Sequence, residues 1–120
     1  MDIVVPTFME FANQVKLYHW KTKSYARHKA TDKFLQLFNN KFDQLIETMM
    51  GSKDKRVYDN FDLRLENQDD KSIVEYVKNF RQFLQKDFNT LVDKKDTDLL
   101  NIRDEILGDT NRMLYLFTLK

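Results

Sequence analysis

Residues 27–51 read RHKATDKFLQLFNNKFDQLIETMMG. Phe34, Phe38, Phe42, Leu45 and Met49 recur at spacings of four and three, the period of a helix that buries one face. The stretch contains no proline and closes on Gly51, a residue suited to the left-handed position just past a helix end. A helix over about 27–50 is predicted. A second stripe runs beside the apolar one. His28 and Asp32 are four residues apart, as are Asp43 and Glu47. At about 100° per residue, these four fall within an arc of about 100°. Leu35, Ile46 and Met50 lie between the two stripes, so the acidic stripe borders the buried face.

Three more helices follow from the same reasoning. Phe8, Phe11, Val15 and Tyr18, with Ala12 beside them, predict a first helix over about 6–22. Pro6 suits its first turn, and His19 and Trp20 fall in its last. Ser72 and Glu75 have the spacing of a capping box. They predict a third helix over about 72–92 that buries Ile73, Val77, Phe80, Leu84 and Leu91. The short link DKKD, 93–96, implies an antiparallel fourth helix over about 97–118, capped by Asp96 or Thr97. Its seam is Leu99, Ile102, Ile106, Met113 and Phe117.

Residues 52–70 keep no helical period, although Val57, Phe61, Leu63 and Leu65 suggest packing over the surface. At ~3.3 Å per residue such a segment is long enough to return along a helix of ~35 Å. Helices two and three would then be parallel. The expectation is an all-α, ferritin-like four-helix bundle with a long crossover between helices two and three, in a single domain over 1–120.

Composition agrees. In 120 residues Gly occurs twice and Pro once, while ten Phe and five Tyr supply core volume. So few turn residues argue against a many-stranded fold. The formal net charge is +1, so no global field recruits nucleic acid or an anionic membrane, and neither is an expected partner. Lys16, Lys21, Lys23 and Arg27 gather near the first corner, but a cluster of that size reads as a solvated end. There is no cysteine, hence no disulfide or thiolate metal site. No apolar run approaches the ~18 residues of a membrane span, and the acidic second residue does not begin a signal peptide. A cytoplasmic location is expected.

The chemistry rests on five residues: His19, His28, Asp32, Asp43 and Glu47. They include both histidines of the chain. Imidazole with carboxylates suits divalent iron, zinc or manganese. A plainer reading stays open. Acids four residues apart are common on solvated helix faces, His28 near a helix start fits solvent, and His19 beside Trp20 fits a core histidine bonded to a carbonyl. Against it, carboxylates beside an apolar face are costly unless a cation or partner satisfies them. No Glu-x-x-His pair, zinc-protease helix, phosphate-binding glycine loop or nucleophile elbow is present.

The segment LYHWKTKSYARHKATDKFLQLFNNKFDQLIETMMG, 17–51, resembles the first two helices of the Dps family, the ferritin-like mini-ferritins. That family has His-Trp at the end of helix one and a second His twelve residues after the first. An acid follows four residues later, an Asp eleven further on, and a Glu four beyond that. His19-Trp20, His28, Asp32, Asp43 and Glu47 match in order. The departure is the nine-residue spacing between the histidines, a corner shorter by three, and the absence of the family's glycine after His-Trp. A divergent ferritin-like group of viral and bacterial proteins is similar in length and in its string of ligand types. The lysine-rich tail that many Dps members use on DNA has no counterpart here.

The resemblance implies an iron-binding ferroxidase whose non-haem iron sits at a two-fold interface. His19, His28 and Asp32 of one subunit would meet Asp43 and Glu47 of its neighbour in a homodimer or larger homo-oligomer. Iron storage or protection against oxidative stress would follow. The competing class is a non-enzymatic ferritin-like bundle, a structural or virion-associated interaction protein, located in the virion or host cytoplasm if the chain is viral.

Overall fold

Pro6 sits in the first turn of α1 (Val4–Lys21), between Val5 and Thr7, whose N–H groups reach back to the Met1 and Ile3 carbonyls. Phe8, Phe11, Val15 and Tyr18 are all buried along one face of this helix. A three-residue link, Thr22 to Ser24, leads into α2 (Tyr25–Lys53). Ser24 caps α2 by accepting a hydrogen bond from the Arg27 N–H at 3.2 Å, which satisfies one of the orphan donors of the first turn. The structure is a computed structural model and describes residues 1–57 and 59–120. Tyr58, inside the expected crossover, lies outside the described residues.

Helix α2 continues beyond the predicted stop. Gly51 is helical, and the left-handed residue is Asp54, with φ of 54°. The Asp54 and Lys55 N–H groups both turn back to the Met50 carbonyl. Asp tolerates the left-handed region because its short side chain can bond locally. Gly51 lacks a positive φ and so does nothing that requires a glycine. At 1.5 Å per residue the 29 residues of α2 span about 44 Å. The longest dimension of the molecule is also 44 Å, the others being 28 and 22 Å, so α2 runs its full length.

The third rod has three parts: α3 (Ser72–Gln82), a π-helical turn (Phe83–Asp87) and a last turn, α4 (Phe88–Leu91). The uninterrupted helix expected over 72–92 is broken by that turn. A π turn inserts one residue and so displaces later positions by about 100°. This turns Leu91, expected in the core, to a half-buried position, while Phe88, four residues after Leu84, is buried. Arg103 donates to the Leu84 carbonyl of the turn at 2.8 Å and to Asn89 at 2.7 Å. The start of α3 also differs from expectation. Asp69 accepts from the Lys71 and Ser72 N–H groups, and the Ser72 hydroxyl accepts from the Asp69 N–H. The reciprocal cap is therefore Asp69 with Ser72, three residues earlier than the Ser72–Glu75 pair predicted from spacing.

The fourth rod, α5 (Thr97–Leu116), has Asp96 at its cap position, but no side chain caps it. The Asp96 carboxylate instead pairs with Lys53 at 2.8 Å and accepts from the Asp93 N–H. Leu99, Ile102, Ile106, Met113 and Phe117 are all buried, as the seam predicted.

The chain is thus all-helical, with four rods and no strand among the described residues. An aromatic cluster joins three of them. Phe11 stacks on Phe80 at 3.7 Å, and Phe8 meets Phe38, Phe42 and Phe80 at 5.3–5.6 Å. Large rings bury much apolar area per residue, which suits a chain of this length. Lys41 on α2 pairs with Asp109 on α5 at 2.6 Å.

Residues between α2 and α3 are held to α1 by their main chain. The Gln14 side chain, 1 % exposed, donates to the Glu66 carbonyl at 2.5 Å and accepts from the Glu66 N–H at 2.8 Å. Glu10 accepts from the Arg64 N–H, and Lys21 bonds Asn67. The apolar side chains of this segment contribute less than expected. Leu63 is half-buried, while Val57, Phe61 and Leu65 stay largely exposed.

A latch closes the end of the molecule where α1 meets α2. Tyr18 and Thr22 both donate to the Asp70 carboxylate, at 2.6 and 2.9 Å. Arg27 donates to the Tyr18 hydroxyl, the Asp70 carbonyl and the Phe117 carbonyl, and its guanidinium lies 4.8 Å from the centre of the Phe117 ring. Arg27 is therefore a half-buried tie between four segments. Sequence reading placed it in a solvated basic cluster.

Candidate metal centre

The last turn of α1 and the first turns of α2 bring both histidines together. Their rings stack at 3.9 Å with 17° between planes. His19 is buried and His28 is exposed. The His28 Nδ1 lies 3.0 Å from the His19 carbonyl oxygen. A carbonyl has no proton to give, so His28 Nδ1 is the donor. The neutral ring then carries its lone pair on Nε2. The bond also satisfies one of the carbonyls that the end of α1 leaves without a helical partner.

His19 Nδ1 lies 2.8 Å from the Thr31 hydroxyl oxygen. Burial pushes the His19 pKa down from its usual value. The neighbouring His28 charge and Lys16 push the same way, against the upward pull of the His28 main chain on the His19 ring and of Asp32. A neutral imidazole is the form that ligates a metal. Asp32, one turn beyond His28, is half-buried, and Gln36 approaches its carboxylate at 3.4 Å.

Asp43 and Glu47 stand elsewhere. Asp43 is eleven residues beyond Asp32, about 16 Å along the α2 axis. Both acids are exposed. The cost foreseen for them was burial beside an apolar face; the structure replaces it with mutual repulsion. A hydrogen bond to Asp43 is open to Glu47 only when one of the two carboxyls is protonated, and this together with the Asp43 charge raises the Glu47 pKa. Asp43 lines an apolar groove of about 360 Å³ with Val5, Met9, Phe42, Ile46 and Phe61. Glu47 opens onto a polar hollow of about 560 Å³ beside Lys55 and Arg56.

Within one chain, His19 and His28 therefore stand together, with Asp32 one turn further along α2, and Asp43 and Glu47 stand apart from them. Among the described residues no three His, Cys, Asp or Glu side chains are grouped closely enough to hold a metal ion. Thr31, fully buried against His19, escaped the sequence reading, because a threonine inside a helix carries no pattern of its own. Gln14, Tyr18 and Asp70 gave no signal as a polar set either, since their partners lie about fifty residues apart in the chain.

No helix is long and apolar enough to cross a membrane, among the residues described. No curated protein and no solved structure matches the chain. Over residues 19–117, which include all five candidate ligands, it matches the family described as "Family of unknown function (DUF5856)". The chain belongs to that family.

Proposed function

We propose that this protein is a ferritin-like, Dps-like iron-binding ferroxidase, with its site shared between two copies across a two-fold axis. The observation that carries the reading is the histidine pair. Two imidazoles stack at 3.9 Å, both with Nδ1 in a hydrogen bond, which leaves both Nε2 atoms free. Metal-ligating histidines are held in this way by their other nitrogen. Together with carboxylates they form a donor set suited to iron.

The spacing along α2 supports the shared arrangement. His28 and Glu47 lie equally far from the point midway between residues 37 and 38, and so do Asp32 and Asp43. Two α2 helices crossing antiparallel about that point place His28 opposite Glu47 of the other copy, and Asp32 opposite Asp43. The exposed acid pair, whose repulsion a cation would relieve, then completes the site begun by the histidines.

Fe(II) is the substrate. Two ferrous ions each give up one electron. One hydrogen peroxide takes both, with two protons, and becomes two waters; dioxygen as oxidant takes the same two electrons and two protons to become peroxide. Carboxylates favour the harder Fe(III) product. A ferritin-like crossover is supported by two sets of contacts: Arg27 at the start of α2 reaches Asp70 at the start of α3, and Arg64 and Glu66 bond to Glu10 and Gln14 of α1.

The test is Fe(II) oxidation followed by absorbance, with sedimentation of the same sample. A dimer or larger oligomer that oxidises iron supports the reading. A monomer that takes up no iron overturns it. That result would favour a non-enzymatic structural or virion-associated bundle.

A further inference from the structure

Thr31 is fully buried and sits at the centre of a four-atom polar junction. Its hydroxyl oxygen lies 2.8 Å from the Arg27 carbonyl, 3.1 Å from the His28 carbonyl and 2.8 Å from His19 Nδ1. Two oxygens at 2.8 Å attract only with a hydrogen between them. The Arg27 carbonyl has none, so the hydrogen belongs to Thr31 and points at the helix backbone. The hydroxyl then has only lone pairs to offer His19. His19 Nδ1 must bring the proton, and the lone pair of its ring falls on Nε2. A side chain with no charge and no metal affinity of its own thus sets which nitrogen of its neighbour is a donor atom.

We propose that Thr31 is a positioning residue that locks His19 in the Nδ1–H tautomer with Nε2 free to ligate. The assignment of a ligating role to His19 rests on the ferroxidase reading; the tautomer itself does not. The device is made by helix geometry. The i−4 and i−3 carbonyls of α2 consume the Thr31 proton, and the corner between α1 and α2 brings His19 against the remaining lone pairs. Thr31 thus does for His19 what the His19 carbonyl does for His28. In both rings Nδ1 is the donor and Nε2 the free atom, so the two imidazoles present matched ligands.

The experiment reads the tautomer in the metal-free protein at a pH where His19 is neutral, by long-range ¹H–¹⁵N correlation of the imidazole nitrogens. In the unmodified protein His19 should show a protonated Nδ1 and an unprotonated Nε2. Thr31→Val keeps the shape and removes the hydroxyl, and should shift His19 toward the Nε2–H form. Thr31→Ser should restore the original pattern. Thr31→Ala serves as the second hydroxyl-free variant if valine fails to fold, and circular dichroism checks helicity in each case. Fe(II) affinity, measured separately, should fall about 10- to 100-fold in the hydroxyl-free variants, the usual cost of losing a partner that orients a ligand. An Nε2–H His19 in the unmodified protein overturns the proposal, as does a tautomer that ignores the loss of the hydroxyl. A Thr31-dependent tautomer in a protein that binds no iron supports the positioning role and counts against the ferroxidase reading alone.

Discussion

The His28 ring closes back on the carbonyl of His19 at 3.0 Å, so the second histidine caps the helix that carries the first. Removing it takes away a candidate ligand at an exposed position, where water can satisfy the freed carbonyl. His28→Ala should therefore abolish Fe(II) oxidation and leave helicity intact. Oxidation followed by absorbance beside a circular dichroism spectrum checks both halves. Unchanged oxidation would remove His28 from the site.

Gly51 tests how α2 ends. Were it the left-handed terminal residue, alanine there would strain the backbone. It is helical instead, and a Cβ built on it meets nothing within 4 Å. Gly51→Ala should stabilise the protein by about 0.5–1 kcal/mol, the helix-propensity difference between the two residues. Urea unfolding gives the sign directly, and a loss of stability would place the end of the helix at Gly51 after all.

The latch at Asp70 has a pH signature. Its bond from the Tyr18 hydroxyl is the main cause of a pKa below the ordinary carboxylate value, with Thr22 and Arg27 acting the same way against partial burial. A depressed acid pKa stabilises the fold above the unfolded value and loses that effect as pH falls through the folded one. Tyr18→Phe should cost about 1 kcal/mol at neutral pH, a figure reduced because Asp70 is exposed. The gap to the unmodified protein should close under acid, below the ordinary Asp value of 3.8. Denaturation midpoints measured across that range follow it. A gap independent of pH would mean that the hydroxyl acts through packing alone.

Asp43 and Glu47 carry the opposite sign. Glu47 has a raised pKa because Asp43 shares its proton and repels its charge, so the folded chain binds that proton more readily than the unfolded one. Stability from this pair rises as pH falls through the folded value. Asp43→Asn should raise the melting temperature of the metal-free protein slightly at neutral pH and flatten this dependence. The same substitution should weaken iron binding. A lower melting temperature would show that the two carboxylates are not in conflict.

The helices themselves were legible because burial writes a period into the sequence. Phe8, Phe11, Val15 and Tyr18, or Leu99, Ile102 and Ile106, announce their faces without help from anything distant. The π turn at 83–87 has no such mark, and it turned Leu91 away from the core. Caps depend on which of several polar residues reaches a free N–H first, and Asp69 rather than Glu75 did so. At the candidate site, spacing brought out the five titratable residues. The proximity of His19 to His28 follows from the tight corner. Thr31 and the Arg27–Asp70 tie were invisible because each depends on a fold already formed.

The bond pair between Gln14 and Glu66 reaches the main chain only. Any residue except proline offers the same N–H and C=O. The carboxylate of Glu66 makes only an exposed ion pair with Arg64 at 3.2 Å, a contact worth little in solvent, so it can be exchanged for almost any chemistry while the path of the chain across α1 stays where Gln14 holds it. Position 66 is a ready attachment point for a fluorophore or a spin label, rigid in its backbone and undemanding in its side chain. Position 14, whose amide supplies both halves of that grip, has no such latitude.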